Sequence, residues 1–186
     1  MTPTRAITLN ALSLYGLALV LTAAFAAQFA LHELPCPLCL LQRVLFTTLA
    51  VGPILNIRFG PRPSHYAASL LAAVAGAVVS TRQLLLHIMP GDAGYGSALL
   101  GYHYYSWALL GFITAIVLLA ALLLFDRQFE DDATHPTAPG IFAQAAVWLV
   151  IALTALNVAS TLLECGFAAC ADNPTTYRLQ IGRAHV

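Results

Sequence analysis

The chain has 186 residues, 60% of them hydrophobic and 9% charged, with a formal net charge of zero. Ordinary soluble domains run at about 45–50% and about 25%, so the composition excludes a soluble domain and makes membrane lipid the expected surrounding. All eight basic residues are arginine, and nucleic acid is not an expected partner.

Five stretches are long and apolar enough to cross a bilayer, which takes about 20 residues each. The first, Thr8 to Leu31, is too long for the roughly 7–15-residue apolar core of a cleaved signal peptide, and Arg5 is its only basic flank. Lipid accommodates only helices or closed barrels, and no window alternates as a barrel strand would. The expectation is an all-α integral membrane protein.

His32-Glu33-Leu34-Pro35 leads into Cys36-Pro37-Leu38-Cys39-Leu40-Leu41-Gln42-Arg43. A CxxC pair closes into a small disulfide that is easily reduced and re-formed. Arg43, one helical turn past Cys39 and on its face, has two readings. It snorkels to the headgroups, or it supplies a fixed positive charge that favours a thiolate and can hydrogen-bond an anionic reduced acceptor. Gln42 reads as a packing or interface group. The second span runs from Leu38 to Ile57, and Arg58-Phe59-Gly60-Pro61-Arg62-Pro63 turns the chain.

The third span, Tyr66 to Met89, carries Arg82, Gln83 and His87. Ionisable groups inside a membrane segment are candidates for function. Gln83 and His87 are spaced to share a face; His87 is placed to pass a proton toward a bound acceptor or to bond a neighbouring helix. Pro90 to Gly96 is a glycine-rich loop. Tyr102, Tyr104, Tyr105 and Trp107 crowd the start of the fourth span, Tyr104 to Phe125, as an interfacial belt does, and His103 belongs to that interface.

Asp126 to Gly140 is the one strongly charged connection, with Glu130-Asp131-Asp132 at its middle. The fifth span follows, Ile141 to Leu163, then a tail with Cys165 and Cys170. The charge of Glu164 would work against an activated thiolate at Cys165; it serves otherwise as a turn or cap residue. Arg5, Arg58, Arg62 and Arg127 flank one side and Arg178 the other, so the positive-inside rule puts the N-terminus and the 126–140 loop in the cytoplasm. Both cysteine pairs then face the oxidising side, where disulfides persist. Two pairs on one face fit a relay of thiol–disulfide exchange. A zinc site built from both pairs and two structural disulfides are the alternatives, although a CxxC loop is too short to stabilise much through chain entropy.

Leu34 to Arg43, extended by Arg82 to Pro90 and by Tyr105-Ser106-Trp107, resembles the DsbB family of bacterial disulfide bond formation proteins over most of residues 10 to 125. The resemblance implies four core spans in the inner membrane, a thiol oxidase of the DsbA type as partner, and ubiquinone or menaquinone as the electron acceptor. It implies that Cys39 lies next to the quinone, that Cys36 is its exchange partner, and that Arg43 and His87 belong to the quinone site. Family members of the best-known type carry their second pair between the third and fourth spans. Here Gly91 to His103 holds no cysteine, and Cys165 and Cys170 follow a fifth span instead. The expected route runs from a reduced DsbA-like protein to Cys165–Cys170, then to Cys36–Cys39, then to quinone. A quinone-linked enzyme resembling the vitamin K epoxide reductases, and a non-enzymatic membrane protein with structural disulfides, are the alternatives.

The expected division is a core over 1–125, a cytoplasmic loop over 126–140, a fifth helix over 141–163 and a periplasmic tail over 164–180. Residues 181–186 are expected to be non-native and adapter-derived, with the natural C-terminus missing beyond about Gln180.

Overall fold

A computed structural model describes residues 3–125 and 138–179. The charged centre of the 126–140 connection and the suspect residues 181–186 lie outside the described residues. The elements in chain order are α1 (Pro3–Ala30), α2 (Pro37–Leu49), α3 (Val51–Phe59), α4 (Pro63–Leu86), β1 (Ala98–Leu99), β2 (Tyr102–His103), α5 (Tyr104–Leu123) and α6 (Ile141–Cys165). Five helical segments are long and apolar enough to cross a membrane, α2 and α3 together forming the second.

That second span is broken at Ala50, which the expected unbroken helix from Leu38 to Ile57 did not include. The cause is Pro53, which has no N–H to give to the carbonyl four residues back. That carbonyl belongs to Leu49, and the Ser69 hydroxyl of α4 donates to it at 2.7 Å. A freed backbone acceptor inside a bundle needs such a partner.

Apolar solvent gives apolar side chains little reason to associate, so membrane helices meet through small residues and polar contacts. The buried stripe of α4 is Tyr66, Ser69, Ala72, Ala73, Gly76, Ser80 and Gln83. A Cβ on Gly76 would strike the Phe112 ring of α5, and one on Gly52 of α3 would strike the Ser69 hydroxyl and the His65 carbonyl. Phe112 in turn stacks on Phe46 of α2 at 4.0 Å. These contacts put α4 between the α2–α3 span and α5. The fifth span, α6, packs on α1 and touches α2. Its buried positions, Ala143, Ala146, Val150, Leu153, Asn157, Ser160 and Glu164, repeat at alternating steps of three and four, as a helix facing a neighbour requires.

Two boundaries differ from expectation in ways that matter. The third span ends at Leu86, and His87 is its C-cap at φ −115° and ψ 23°, outside the helix rather than within it. The 98–103 segment forms a small hairpin, Ala98 opposite His103 and Leu99 opposite Tyr102. Leu100 and Gly101 both have positive φ, 53° and 84°, as a tight two-residue hairpin turn demands. The Trp107 indole N–H donates to the Leu99 carbonyl at 3.1 Å and holds the hairpin against α5.

Candidate functional site

The CxxC motif starts a helix. Cys36 is the N-cap of α2, its sulfur accepting the Cys39 N–H at 3.1 Å, and Pro37 occupies the first turn with its φ already set for a helix. Cys36 and Cys39 form one disulfide, Cα atoms 4.9 Å apart, and Cys165 and Cys170 form the other, Cα atoms 4.7 Å apart. Gln28, near the end of α1, donates to the Ser160 hydroxyl of α6 at 2.7 Å and to the Tyr177 hydroxyl of the tail at 3.0 Å. The two cysteine pairs therefore lie at the same end of the bundle.

The neighbours of the first disulfide come from α4. Gln83, 1% exposed, points its amide at both sulfurs, 3.3 Å from Cys36 Sγ and 3.4 Å from Cys39 Sγ. Its carbonyl accepts from Gln42 Nε2 at 2.9 Å, which fixes which way the Gln83 amide faces. Gln83 stood out in the sequence as a polar group in an apolar run, and Gln42 as a packing or interface group. The contact of Gln83 with sulfur depends on the packing of α4 against α2, which the sequence does not display.

Arg43 is buried, 7% exposed. Its Nη1 donates to Gln28 Oε1 at 2.6 Å and its Nη2 to the Ala24 carbonyl at 2.9 Å, and its guanidinium lies 5.0 Å from the centre of the Phe25 ring. It does not snorkel outward; it is tied to α1 beneath the disulfide. Glu164 of α6 is an opposing charge that acts on it. Gln28 and Glu164 were not picked out as site residues. The three–four stripe of α6, extended to its end, is the signal that places Glu164 on the buried face.

A cavity of about 350 Å³ opens between these elements. Its walls include Ala24 and Ala27 of α1, Leu34 and Pro35 before the motif, Phe46 of α2, and Tyr104, Tyr105, Trp107 and Ala108 of α5; Cys39, Gln42, Arg43 and Gln83 bring sulfur and polar groups to it. The loops at this end of the bundle close over it. Tyr95 donates its hydroxyl to the Leu34 carbonyl at 2.6 Å, and Glu33 accepts from the Ser97 N–H at 3.0 Å and from the Ser97 hydroxyl. Burial, then the charges of Glu164 and Glu33, push the Tyr95 hydroxyl above its ordinary value, so it stays a neutral donor.

His87 is not among the residues lining the cavity. Its ring stacks on Tyr105 at 5.7 Å, and its Nδ1 meets Asp92 Oδ1 at 3.1 Å. The Gly94 backbone N–H, then the His87 ring, hold the exposed Asp92 carboxyl below its ordinary range. Tyr105, which does line the cavity, stands beside His87. Among the described residues no group of three or more His, Cys, Asp or Glu side chains could hold a metal ion.

An apolar chamber walled by a disulfide, with one buried cation and two amides at its polar edge, suits a flat apolar molecule carrying hydrogen-bond acceptors. Residues 5–96 match the family model described as "Disulfide bond formation protein DsbB". A disulfide bond formation protein B from Chromobacterium violaceum is 41% identical over 75 residues, covering 37% of this chain and 44% of the relative. One from Xanthomonas axonopodis pv. citri is 35% identical over 78 residues, 39% of this chain and 45% of the relative. A disulfide bond formation protein B 2 from Burkholderia lata is 38% identical over 65 residues, 34% and 39% respectively. The chain thus spans less than half the length of these relatives. No solved structure matches it.

Proposed function

Through residues 5–96 the chain belongs to the DsbB family, and from that premise we propose that it is a thiol:quinone oxidoreductase of the bacterial inner membrane. It reoxidises a DsbA-like thiol oxidase and passes the electrons to ubiquinone or menaquinone. The observation that carries this reading is the Cys36–Cys39 disulfide beside an apolar cavity to which Cys39 and the buried Arg43 both contribute. The cavity, at about 350 Å³, falls within the roughly 300–1,000 Å³ of small-molecule sites, and its apolar walls with a few convergent polar groups fit a quinone head. Arg43, Gln42 and Cys39 would hold it, with His87 acting from behind Tyr105. A quinone bound there accepts two electrons and two protons.

The chain's own residues prepare that transfer. Gln83 keeps an amide N–H on both sulfurs and so stabilises negative charge on either when the disulfide opens. The Cys39 amide points at Cys36 Sγ from the first turn of α2, whose dipole also favours an anion there. Arg43 sets a fixed positive charge one turn below Cys39, held in place by Gln28 and Ala24. The apolar wall excludes water, which strengthens each of these interactions.

In the proposed relay, a thiolate of the reduced partner attacks Cys165–Cys170 to form a mixed disulfide, which its second thiol resolves. The resulting tail dithiol reduces Cys36–Cys39 in the same way. The core over 1–125 carries the quinone chemistry, the loop over 126–140 is cytoplasmic, and the fifth helix brings the periplasmic tail to the core. The test is quinone reduction by reduced thiol oxidase with the purified chain. Cys39→Ser is expected to abolish it, and unchanged turnover in that variant would overturn the reading.

A further inference from the structure

Among the described residues, the apolar bundle buries a carboxylate whose partner is incomplete. Glu164 is 3% exposed, and neither of its carboxylate oxygens has a hydrogen-bond partner. The end of α6 is sealed above it, where Arg178 and Leu179 donate their backbone N–H groups to the carbonyls of Glu164 and Leu163 at 3.2 and 3.0 Å. The opposing charge that acts on it is Arg43, whose Nη1 and Nη2 are already engaged by Gln28 and Ala24. The charge of Glu164 also reaches Tyr95, on which Glu33 acts too, while Tyr177 of the tail acts on Arg43 and bonds Gln28 rather than Glu164. Gln28 from α1 brings no charge.

Arg43 is also the cation one turn from Cys39. Opening Cys36–Cys39 places a second anion against it, a thiolate at Cys39. Two anions on one buried cation leave a net negative charge in apolar surroundings, which is costly. A carboxylate held by charge alone, with no hydrogen bond to lose, is the group that yields by taking a proton.

We propose that Glu164 is the proton-holding partner of the CxxC pair, taking up one proton when Cys36–Cys39 is reduced and releasing it when the pair is reoxidised. The inference rests on the proposed function, because it needs Cys39 to stand as a thiolate beside Arg43. The balance is complete. A reduced dithiol gives up two electrons and two protons as its own disulfide forms; the S–S bond of Cys36–Cys39 breaks, Cys36 becomes a thiol, Cys39 a thiolate, and Glu164 a carboxylic acid. On reoxidation by a quinone the two electrons leave with the Cys36 and Glu164 protons, and the S–S bond closes. Glu164 acts through Arg43 and is a positioning residue in this sense.

The test is the reduced-minus-oxidised infrared spectrum of the full chain in quinone-free lipid nanodiscs, reduced with excess small dithiol. A protonated-carboxyl C=O band is expected to appear on reduction, to shift in heavy water and to vanish in Glu164→Gln. In that variant the potential of the Cys36–Cys39 pair is expected to change with pH by one proton per two electrons instead of two. No band in the wild type, or a band that survives Glu164→Gln unmoved, would overturn the proposal. Should Glu164→Gln fail to fold, Glu164→Asp is measured instead: a displaced band supports the proposal and an unmoved one overturns it. A chain that reduces quinone without this signal loses only the present inference, whereas one that does not reduce quinone loses the proposed function.

Discussion

Two polar clusters sit in this apolar bundle, one at each end, and they are built differently. Away from the cysteines, Asn56 donates to Asn10 Oδ1 at 3.0 Å, Asn10 donates to the Tyr66 hydroxyl at 3.2 Å, and Asn56 Oδ1 meets the Arg62 N–H and the His65 ring at 3.2 and 2.9 Å. Both buried asparagines there use donor and acceptor alike. At the cysteine end Gln83 spends its donors on sulfur, Arg43 carries a buried charge, and Glu164 is left without a hydrogen bond. A satisfied cluster fixes helices in register; an unsatisfied one keeps groups ready to change charge. The contrast separates fold from chemistry more sharply than the positions of the cysteines do.

The largest expected effect comes from Arg43→Met. It takes the donors away from Gln28 Oε1 and the Ala24 carbonyl, a loss of about 1–3 kcal/mol, and removes the cation beside Cys39, so quinone reduction falls at least about a hundredfold. Adding Glu164→Gln is expected to restore none of the turnover, which would show that the Arg43 charge acts on the reaction itself. Next comes Gln83→Leu, which strips both sulfurs and Gln42 of a partner. A loss of about 1–3 kcal/mol on the transfer step means about fivefold to a hundredfold in turnover, since about 1.4 kcal/mol is a factor of ten.

At the other end, Asn56→Leu is expected to lower stability by about 1–3 kcal/mol, read by thermal unfolding in detergent, with the turnover of the folded fraction unchanged. A turnover loss as large as that of Gln83→Leu would break the distinction between the clusters. The smallest effect is at Asp92. Its carboxyl is held below its ordinary range in the fold, so its hold on the Gly94 N–H is fully present above that range and is lost as the pH falls through the folded value. The protection of the Gly94 amide against exchange, taken relative to its intrinsic rate at each pH, should therefore fall on acidification, and Asp92→Asn should remove most of that pH dependence.

The five spans were legible because length and apolar content are properties of local sequence, and the resemblance carried by Leu34 to Arg43 falls within the matched segment 5–96. The break at Ala50 was legible in principle through Pro53, but its partner Ser69 lies on another helix. Of the cysteine site, the motif and Arg43 were legible; Gln83 and Glu164 were seen as residues and not as parts of it. A glutamine reads alike whether it faces lipid, helix or sulfur, and only the packing of α4 on α2 decides. Glu164 sat at the end of a regular buried stripe, yet its adjacency to Cys165 drew the reading to its charge on that thiol, with a turn or cap as the alternative, and hid the stripe. His87 was placed inside a span expected to run to Met89, whereas the helix ends before it at Leu86.

The most direct test of the relay compares two electron donors in variants of the two cysteine pairs, with quinone reduction as the readout. Replacing Cys165 and Cys170 by serine is expected to stop reduction by the reduced DsbA-like protein while a small dithiol, reaching Cys36–Cys39 directly, still drives it. Replacing Cys36 and Cys39 is expected to stop both. Undiminished quinone reduction by the DsbA-like protein without the tail pair would contradict the account.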